Sequence, residues 1–122
     1  MRRDDGDPGE LLDMAGRLLR RADPATAGLW PRASSILALR ALEASLVRLW
    51  ERRALDLRGC SMPTQLICLR SYLQDPKLAA RASHAWSALS RACHHHPYEL
   101  APTSTELQSW FSVVNELIGK AG

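Results

Sequence analysis

TSTELQSWFSVVNELI, residues 103–118, carries the clearest helical pattern in the chain. Its apolar residues recur at spacings of three and four, which places them on one face of an α-helix. They are Leu107, Trp110, Phe111, Val114, Leu117 and Ile118. Thr103 and Glu106 just before them have the spacing of a capping box. This segment therefore predicts an amphipathic helix with a defined start.

Two helices are predicted in the first half of the chain. The first begins at the capping-box spacing of residues 7–10 and ends at Asp23-Pro24. Its apolar face is Leu11, Met14, Ala15, Leu18 and Leu19. The second and longest runs from near Pro31 to about Leu57, with Gly59 as its stop signal. Its stripe is Ile36, Leu39, Leu42, Leu46, Leu49 and Trp50.

Two further helices lead to residues 90–99. The third follows Ser61-Met62-Pro63 and carries Leu66, Ile67, Leu69, Tyr72 and Leu73. The fourth begins at Asp75-Pro76, and its stripe is Leu78, Ala82, Trp86, Leu89 and Cys93. The four tryptophans, at positions 30, 50, 86 and 110, fall near helical stripes and are expected to anchor the core. Strand signals are nearly absent, so the sequence predicts an all-α, up-and-down bundle of four to five helices.

The composition is typical of a soluble globular protein. The length of 122 residues predicts one domain over residues 1–122, with residues 1–6 as a disordered tail. No apolar run approaches the roughly 20 residues of a membrane span, and the polar start does not resemble a signal peptide. Three cysteines without a repeated spacing favour free thiols in a reducing compartment. We therefore expect a cytoplasmic protein.

The positive charge of the chain is carried almost entirely by arginine. The net charge is +3, and only Lys77 and Lys120 among the 16 cationic residues are lysines. The planar guanidinium binds phosphate through two parallel hydrogen bonds, so this composition suits an RNA or DNA partner. The alternative is that the arginines only solvate the outer faces of the helices.

Residues 90–99, SRACHHHPYE, hold three of the four histidines of the protein. If the fourth helix continued, Arg91 would share a face with His95, four residues later. Pro97 disfavours helical backbone at His96, so the helix is expected to end near His95 and leave His96 free to fold back. The residues thus predict an arginine–histidine pair at a helix end, with either His95 or His96 as the partner of Arg91.

Such a pair suits the cleavage of RNA without a metal. A neutral histidine can remove the proton from a ribose 2′-hydroxyl, and the freed oxygen attacks the neighbouring phosphate. An arginine can neutralise the charge that builds on the phosphoryl oxygens. This reasoning requires no metal and no cofactor.

The motif R-x4-H-x-Y, which Arg91, His96 and Tyr98 form, resembles that of the HEPN superfamily (higher eukaryotes and prokaryotes nucleotide-binding). The order of the helices is similar over most of the chain, roughly Asp7 to Ile118. The resemblance implies a HEPN-like helical domain, metal-independent endoribonuclease activity with Arg91 and His96 as the catalytic pair, and a homodimer with one composite cleft. In one toxin–antitoxin branch a nucleotidyltransferase antitoxin modifies the tyrosine matched by Tyr98. A toxin–antitoxin or phage-defence role follows from the resemblance.

Other interpretations of the same residues stay open. Many catalytic members carry a polar residue after the arginine, whereas this chain has Ala92, which favours an inactive dimeric module that binds RNA or a partner protein. Arg91 and His96 could also serve only as cations at a helix end, and Tyr98 as a packing residue. Cys93 and the three adjacent histidines are not expected to bind zinc, because neighbouring histidines on a helix point in different directions. His84 is expected to be a partly exposed helix residue without a role.

Overall fold

The computed structural model describes residues 7–20, 30–94 and 101–121, and within these ranges the chain is helical, with no strand. The helices are α1 (Pro8–Arg20), α2 (Trp30–Arg52), α3 (Met62–Leu73), α4 (Pro76–Cys93) and α5 (Ser104–Ala121). The prediction of an all-α helical bundle is confirmed, with five helices in these ranges. Residues 1–6, the predicted tail, and Asp23-Pro24, the predicted end of the first helix, lie outside the described ranges. None of the described helices is both long enough and apolar enough to cross a membrane.

The central helix of the bundle is α2, which packs against α1, α4 and α5, while α3 packs against α4. Its inward face is at most 3% exposed and alternates small residues with large apolar ones: Ala38, Ala41, Leu42, Ser45, Leu46, Leu49 and Trp50. Small residues let neighbouring helix backbones approach closely, and the larger ones fill the space between them. All five helices contribute to one hydrophobic core around this face.

Three serines of α2 are buried without leaving their hydroxyls unsatisfied. Ser35 donates to the carbonyl oxygen of Pro31 at 2.7 Å, and Ser45 donates to that of Ala41 at the same distance, each one turn back in the helix. The third, Ser34, donates to the carbonyl oxygen of Ala15 in α1 at 2.8 Å. Because a buried hydroxyl without a partner would destabilise the fold, these bonds allow small polar residues inside the core.

The predicted capping box is found complete before α5, whereas at the start of α1 only one of its two hydrogen bonds is found. Before α5, the Thr103 amide donates to Oε1 of Glu106 at 3.0 Å, and the Glu106 amide donates to Oγ1 of Thr103 at 3.1 Å. In α1, one carboxylate oxygen of Asp7 accepts from the Glu10 amide at 3.2 Å. Its other oxygen accepts from Arg48 of α2 at 2.7 Å, so the same aspartate caps α1 and ties it to the central helix.

The predicted end of α2 is wrong. The helix ends at Arg52 rather than near Leu57, and Gly59 is not its stop. Ala54 has a left-handed backbone with φ of 56°. The Leu55 amide donates to the carbonyl oxygen of Trp50 at 2.9 Å, and the Ala54 amide to that of Glu51 at 3.1 Å. This pair of bonds is a Schellman motif, which ends a helix and is most often built on glycine.

Several apolar residues that the helical pattern assigned to the core are exposed. Ile36 is 40% exposed and Ile67 is 70% exposed, next to the buried Ser35 and Leu66 respectively. One residue corresponds to about 100° around a helix, so the neighbour of a buried residue can point outward. Exposure above one third is also found for Met14 and Tyr72. A short helix such as α3 buries only the side that meets its neighbour.

The described tryptophan side chains differ in how deeply they are buried. Trp50 is 3% exposed, and its ring nitrogen donates to Oε1 of Gln65 at 3.0 Å. Its ring meets that of Tyr72 edge to face, with 5.9 Å between the ring centroids. Trp86 and Trp110 are half-buried against the core, as expected of anchoring residues. The side chain of Trp30 lies outside the described residues.

Replacing Ala54 by glycine is predicted to stabilise the protein. A left-handed backbone is unfavourable for alanine by about 1 kcal/mol and neutral for glycine. We expect Ala54→Gly to raise the midpoint of thermal unfolding by about 3–5 °C. The matched control is Ala80→Gly, at an exposed position within α4, which is expected to destabilise by about 1 kcal/mol. If both variants unfold at a lower temperature than the parent, the left-handed turn at residue 54 is contradicted.

Candidate functional site

The candidate site lies at the C-terminal end of α4. Arg91 is exposed and stands in the last turn of this helix, which ends at Cys93. His94 is the capping residue, with an extended backbone at φ −95° and ψ 117°. The sequence predicted that Pro97 would end the helix near His95, but the helix ends two residues earlier, at Cys93.

The side chain of His94 explains this early end. In a continuous α-helix the amide of residue 94 would donate to the carbonyl oxygen of Ser90. Here that amide donates instead to the carbonyl oxygen of Arg91 at 3.1 Å. Nδ1 of the His94 ring lies 2.6 Å from the Ser90 carbonyl oxygen and takes the place of the amide. The ring therefore satisfies a carbonyl that the end of the helix would otherwise leave without a partner.

This contact also fixes which ring nitrogen of His94 carries a proton. A carbonyl oxygen only accepts hydrogen bonds, so Nδ1 must be the donor. In the neutral ring the lone pair is then on Nε2, and in the cationic ring Nε2 carries the second proton. Because the His94 side chain is exposed, proton exchange with a ligand would take place at Nε2.

A second arginine reaches this helix end from α2. Nε of Arg32 donates to the carbonyl oxygen of Cys93 at 3.0 Å. The contact joins the start of the central helix to the end of α4 and brings a second guanidinium to the candidate site. A cation near the last carbonyls of a helix is electrostatically favourable.

The sequence reasoning missed Arg32, because 61 residues separate it from Cys93. One local signal was present. Arg32 lies in the first turn of α2, which contains no acidic residue, although the N-terminus of a helix disfavours a positive charge. The dipole of α2 does not stabilise a positive charge in its first turn. An arginine there is therefore expected to interact with another part of the fold.

Cys93 is half-buried between these groups. Burial raises the pKa of its thiol above the ordinary value, the positive charge of Arg32 opposes that rise, and the negative charge of Glu43 adds to it. Glu43 also accepts a hydrogen bond from the ring nitrogen of Trp86 at 3.3 Å. A raised pKa keeps the thiol protonated at neutral pH, so Cys93 is a poor nucleophile in this setting.

The exposed face of α4 is positively charged. Lys77, Arg81, His84 and Arg91 are all exposed, and the helix contains no aspartate or glutamate. Their spacings of four, three and seven residues place them along one side of the helix, over about 21 Å. Arg81 forms an ion pair with Glu116 of α5 at 2.7 Å. This side of α4 thus carries Lys77 and Arg91, with the imidazole of His84 and the ion-paired Arg81 between them.

The structure describes only part of the predicted catalytic set. It places Arg91 at an exposed helix end, as predicted, and His84 on an exposed helix surface. His95, His96 and Tyr98 lie outside the described residues, so the pairing of Arg91 with a histidine stays a prediction. In the described parts of the chain, no three cysteine, histidine or acidic side chains are grouped as a metal site would require.

Comparison with known proteins provides no support for or against the resemblance to the HEPN superfamily. No protein-family model matches it, and no similar curated protein or solved structure was found. The support for a HEPN-like protein is therefore the R-x4-H-x-Y motif and the order of the helices.

Replacing Arg32 is predicted to change the reactivity of Cys93. Without the positive charge of Arg32, the pKa of the Cys93 thiol should rise further, because burial and Glu43 then act unopposed. We expect Arg32→Gln to shift the pH profile of iodoacetamide alkylation at Cys93, followed by peptide mass spectrometry, to higher pH. Arg40→Gln is the control, since Arg40 is an exposed arginine of the same helix. Equal profiles for the parent and both variants would contradict the contact between Arg32 and the end of α4.

Proposed function

We propose that the protein is a metal-independent endoribonuclease of HEPN type. The observation that carries this proposal is the end of α4, where Arg91 is exposed in the last turn and Nε of Arg32 donates to the carbonyl oxygen of Cys93. Two guanidinium groups at one helix end suit an anionic ligand such as a phosphodiester. The motif supplies the partner histidine, His96.

In the proposed reaction His96 acts as the general base and Arg91 as the electrostatic stabiliser. His96 takes the proton of a ribose 2′-hydroxyl, and the oxygen attacks the adjacent phosphorus. The guanidinium of Arg91 donates hydrogen bonds to the non-bridging oxygens as negative charge builds on them. The products are a 2′,3′-cyclic phosphate and a 5′-hydroxyl. His95 is the alternative base, because the motif spacing alone selects His96.

The charge of α4 supports RNA as the substrate. A phosphate backbone is attracted to a row of cations without regard to its sequence. Lys77 and Arg91 are exposed cations on one side of α4, with the exposed imidazole of His84 between them, and this row ends at the proposed catalytic arginine. A bound strand that follows this row would bring a phosphodiester to Arg91.

The family resemblance extends the proposal to the assembly and the biological setting. We propose a homodimer whose two motifs share one cleft, acting in the cytoplasm in a toxin–antitoxin or phage-defence system. A nucleotidyltransferase antitoxin that modifies Tyr98, or another defence-system protein, would be the partner. The free cysteines of the described chain are in keeping with a reducing compartment.

The second candidate is an inactive module of the same fold that binds RNA or a partner protein. The observation in its favour is Ala92, which is half-buried in the last turn of α4. An alanine cannot donate the hydrogen bond that a polar residue would offer at this position.

A cleavage assay in the presence of EDTA tests the proposed activity. We expect the parent protein to cleave single-stranded RNA, and Arg91→Ala and His96→Ala each to lower the rate about 100-fold or more. The product ends should be cyclic phosphates. Arg70→Ala is the matched control, because Arg70 is an exposed arginine on α3, and it should retain the parent rate.

Two results would redirect the proposal. If both Arg91→Ala and His96→Ala cleave RNA as fast as the parent, these residues are not the catalytic pair. If the parent binds RNA or a partner protein tightly but cleaves no RNA, the inactive module is the better description.

A further inference from the structure

Cleavage of RNA through its 2′-hydroxyl requires two proton transfers. One group removes the proton from the attacking oxygen, and another supplies a proton to the departing 5′ oxygen. The proposed function assigns the first transfer to His96 and gives Arg91 an electrostatic role. An arginine stays protonated in proteins, so it does not supply the second proton.

We propose that His94 is the general acid that protonates the departing 5′ oxygen, an inference that rests on the proposed endoribonuclease activity. His94 is exposed and caps α4 three residues after Arg91. Its ring is held by Ser90, the residue immediately before Arg91. His94 and Arg91 are therefore three residues apart at the same exposed helix end, and the proposed role requires one phosphodiester to contact both.

The anchoring of the ring suits repeated proton transfer. Nδ1 donates to the Ser90 carbonyl oxygen at 2.6 Å, and Nδ1 carries a proton in both the neutral tautomer required here and the cationic ring. His94 can thus gain or lose a proton at Nε2 while the bond that orients it stays intact. A catalytic histidine oriented by a backbone carbonyl through its other nitrogen has this property in general.

The proposed step is balanced. The 2′-hydroxyl proton passes to neutral His96, and the electron pair of that oxygen forms the new bond to phosphorus. The bond between phosphorus and the 5′ oxygen breaks, and its electron pair stays on that oxygen. The proton on Nε2 of cationic His94 then passes to the 5′ oxygen. His96 is left cationic and His94 neutral, and exchange of one proton each with water restores both.

A pair of substrates separates acid catalysis from a purely structural role of His94. In the first, the scissile bond is an ordinary phosphodiester; in the second, sulfur replaces the departing 5′ oxygen. A thiolate leaves without protonation, because a thiol is a far stronger acid than an alcohol. Loss of the general acid should therefore slow cleavage of the first substrate and spare the second.

The test uses His94→Asn alongside His94→Ala. The asparagine amide can donate to the Ser90 carbonyl in place of Nδ1, so this variant can keep the helix cap but cannot transfer a proton. We expect both variants to cleave the oxygen substrate about 100-fold more slowly than the parent, and the sulfur substrate within a few-fold of the parent rate. His96→Ala should be slow on both substrates, because the attacking hydroxyl is the same in each.

Other outcomes overturn the inference in distinguishable ways. If His94→Asn cleaves the oxygen substrate at the parent rate, or loses the same factor on both substrates, His94 is not the general acid, while the proposed activity stands. If the parent protein cleaves neither substrate, the proposed function fails, and the role of His94 fails with it.

Discussion

The burial of α2 between α1, α4 and α5 organises the described part of the bundle. Ala38, Ala41 and Ser45 are small enough to let the neighbouring backbones approach, and their exposure is at most 1%. Because α2 packs against both α1 and α4, its position determines where their ends lie. Ser34 binds the backbone of α1, and Arg32 binds that of α4. The core and the candidate site thus share one helix.

The end of α4 illustrates how a local exchange of hydrogen bonds can create a site. The His94 ring replaces a backbone amide at the Ser90 carbonyl, so the helix ends and the ring is oriented by the same contact. Arg32 satisfies the Cys93 carbonyl nearby. In the proposed reaction, the groups that cap the helix would also bind and protonate a phosphodiester. Replacing His94 by alanine removes both the helix cap and the proposed acid, so it cannot separate the two roles. Replacing it by asparagine can keep the cap and is therefore informative.

The features that could be predicted from the sequence are the local ones. The capping box of Thr103 and Glu106 spans only four residues. The repeat of apolar residues that predicts α5 likewise lies within one continuous segment. The end of α2 could not be predicted in this way, since Leu55 and Leu57 prolong the apolar pattern while Ala54, without being glycine, adopts the left-handed turn. The contact of Arg32 with Cys93 arises only from tertiary packing. His94 was assigned no role for a different reason: its contact with Ser90 is local, but no residue spacing indicates that the ring replaces the backbone amide there.

The central functional claim is that a ribose 2′-hydroxyl attacks its neighbouring phosphate at the end of α4 without the help of a metal. The most direct measurement compares an RNA oligonucleotide with its fully 2′-O-methylated counterpart, at equal occupancy of the protein and in EDTA. We expect cleavage of the RNA and none of the methylated strand, because the methyl group removes the nucleophile. Equal cleavage of both strands, or cleavage that appears only after a divalent metal is restored, would contradict it.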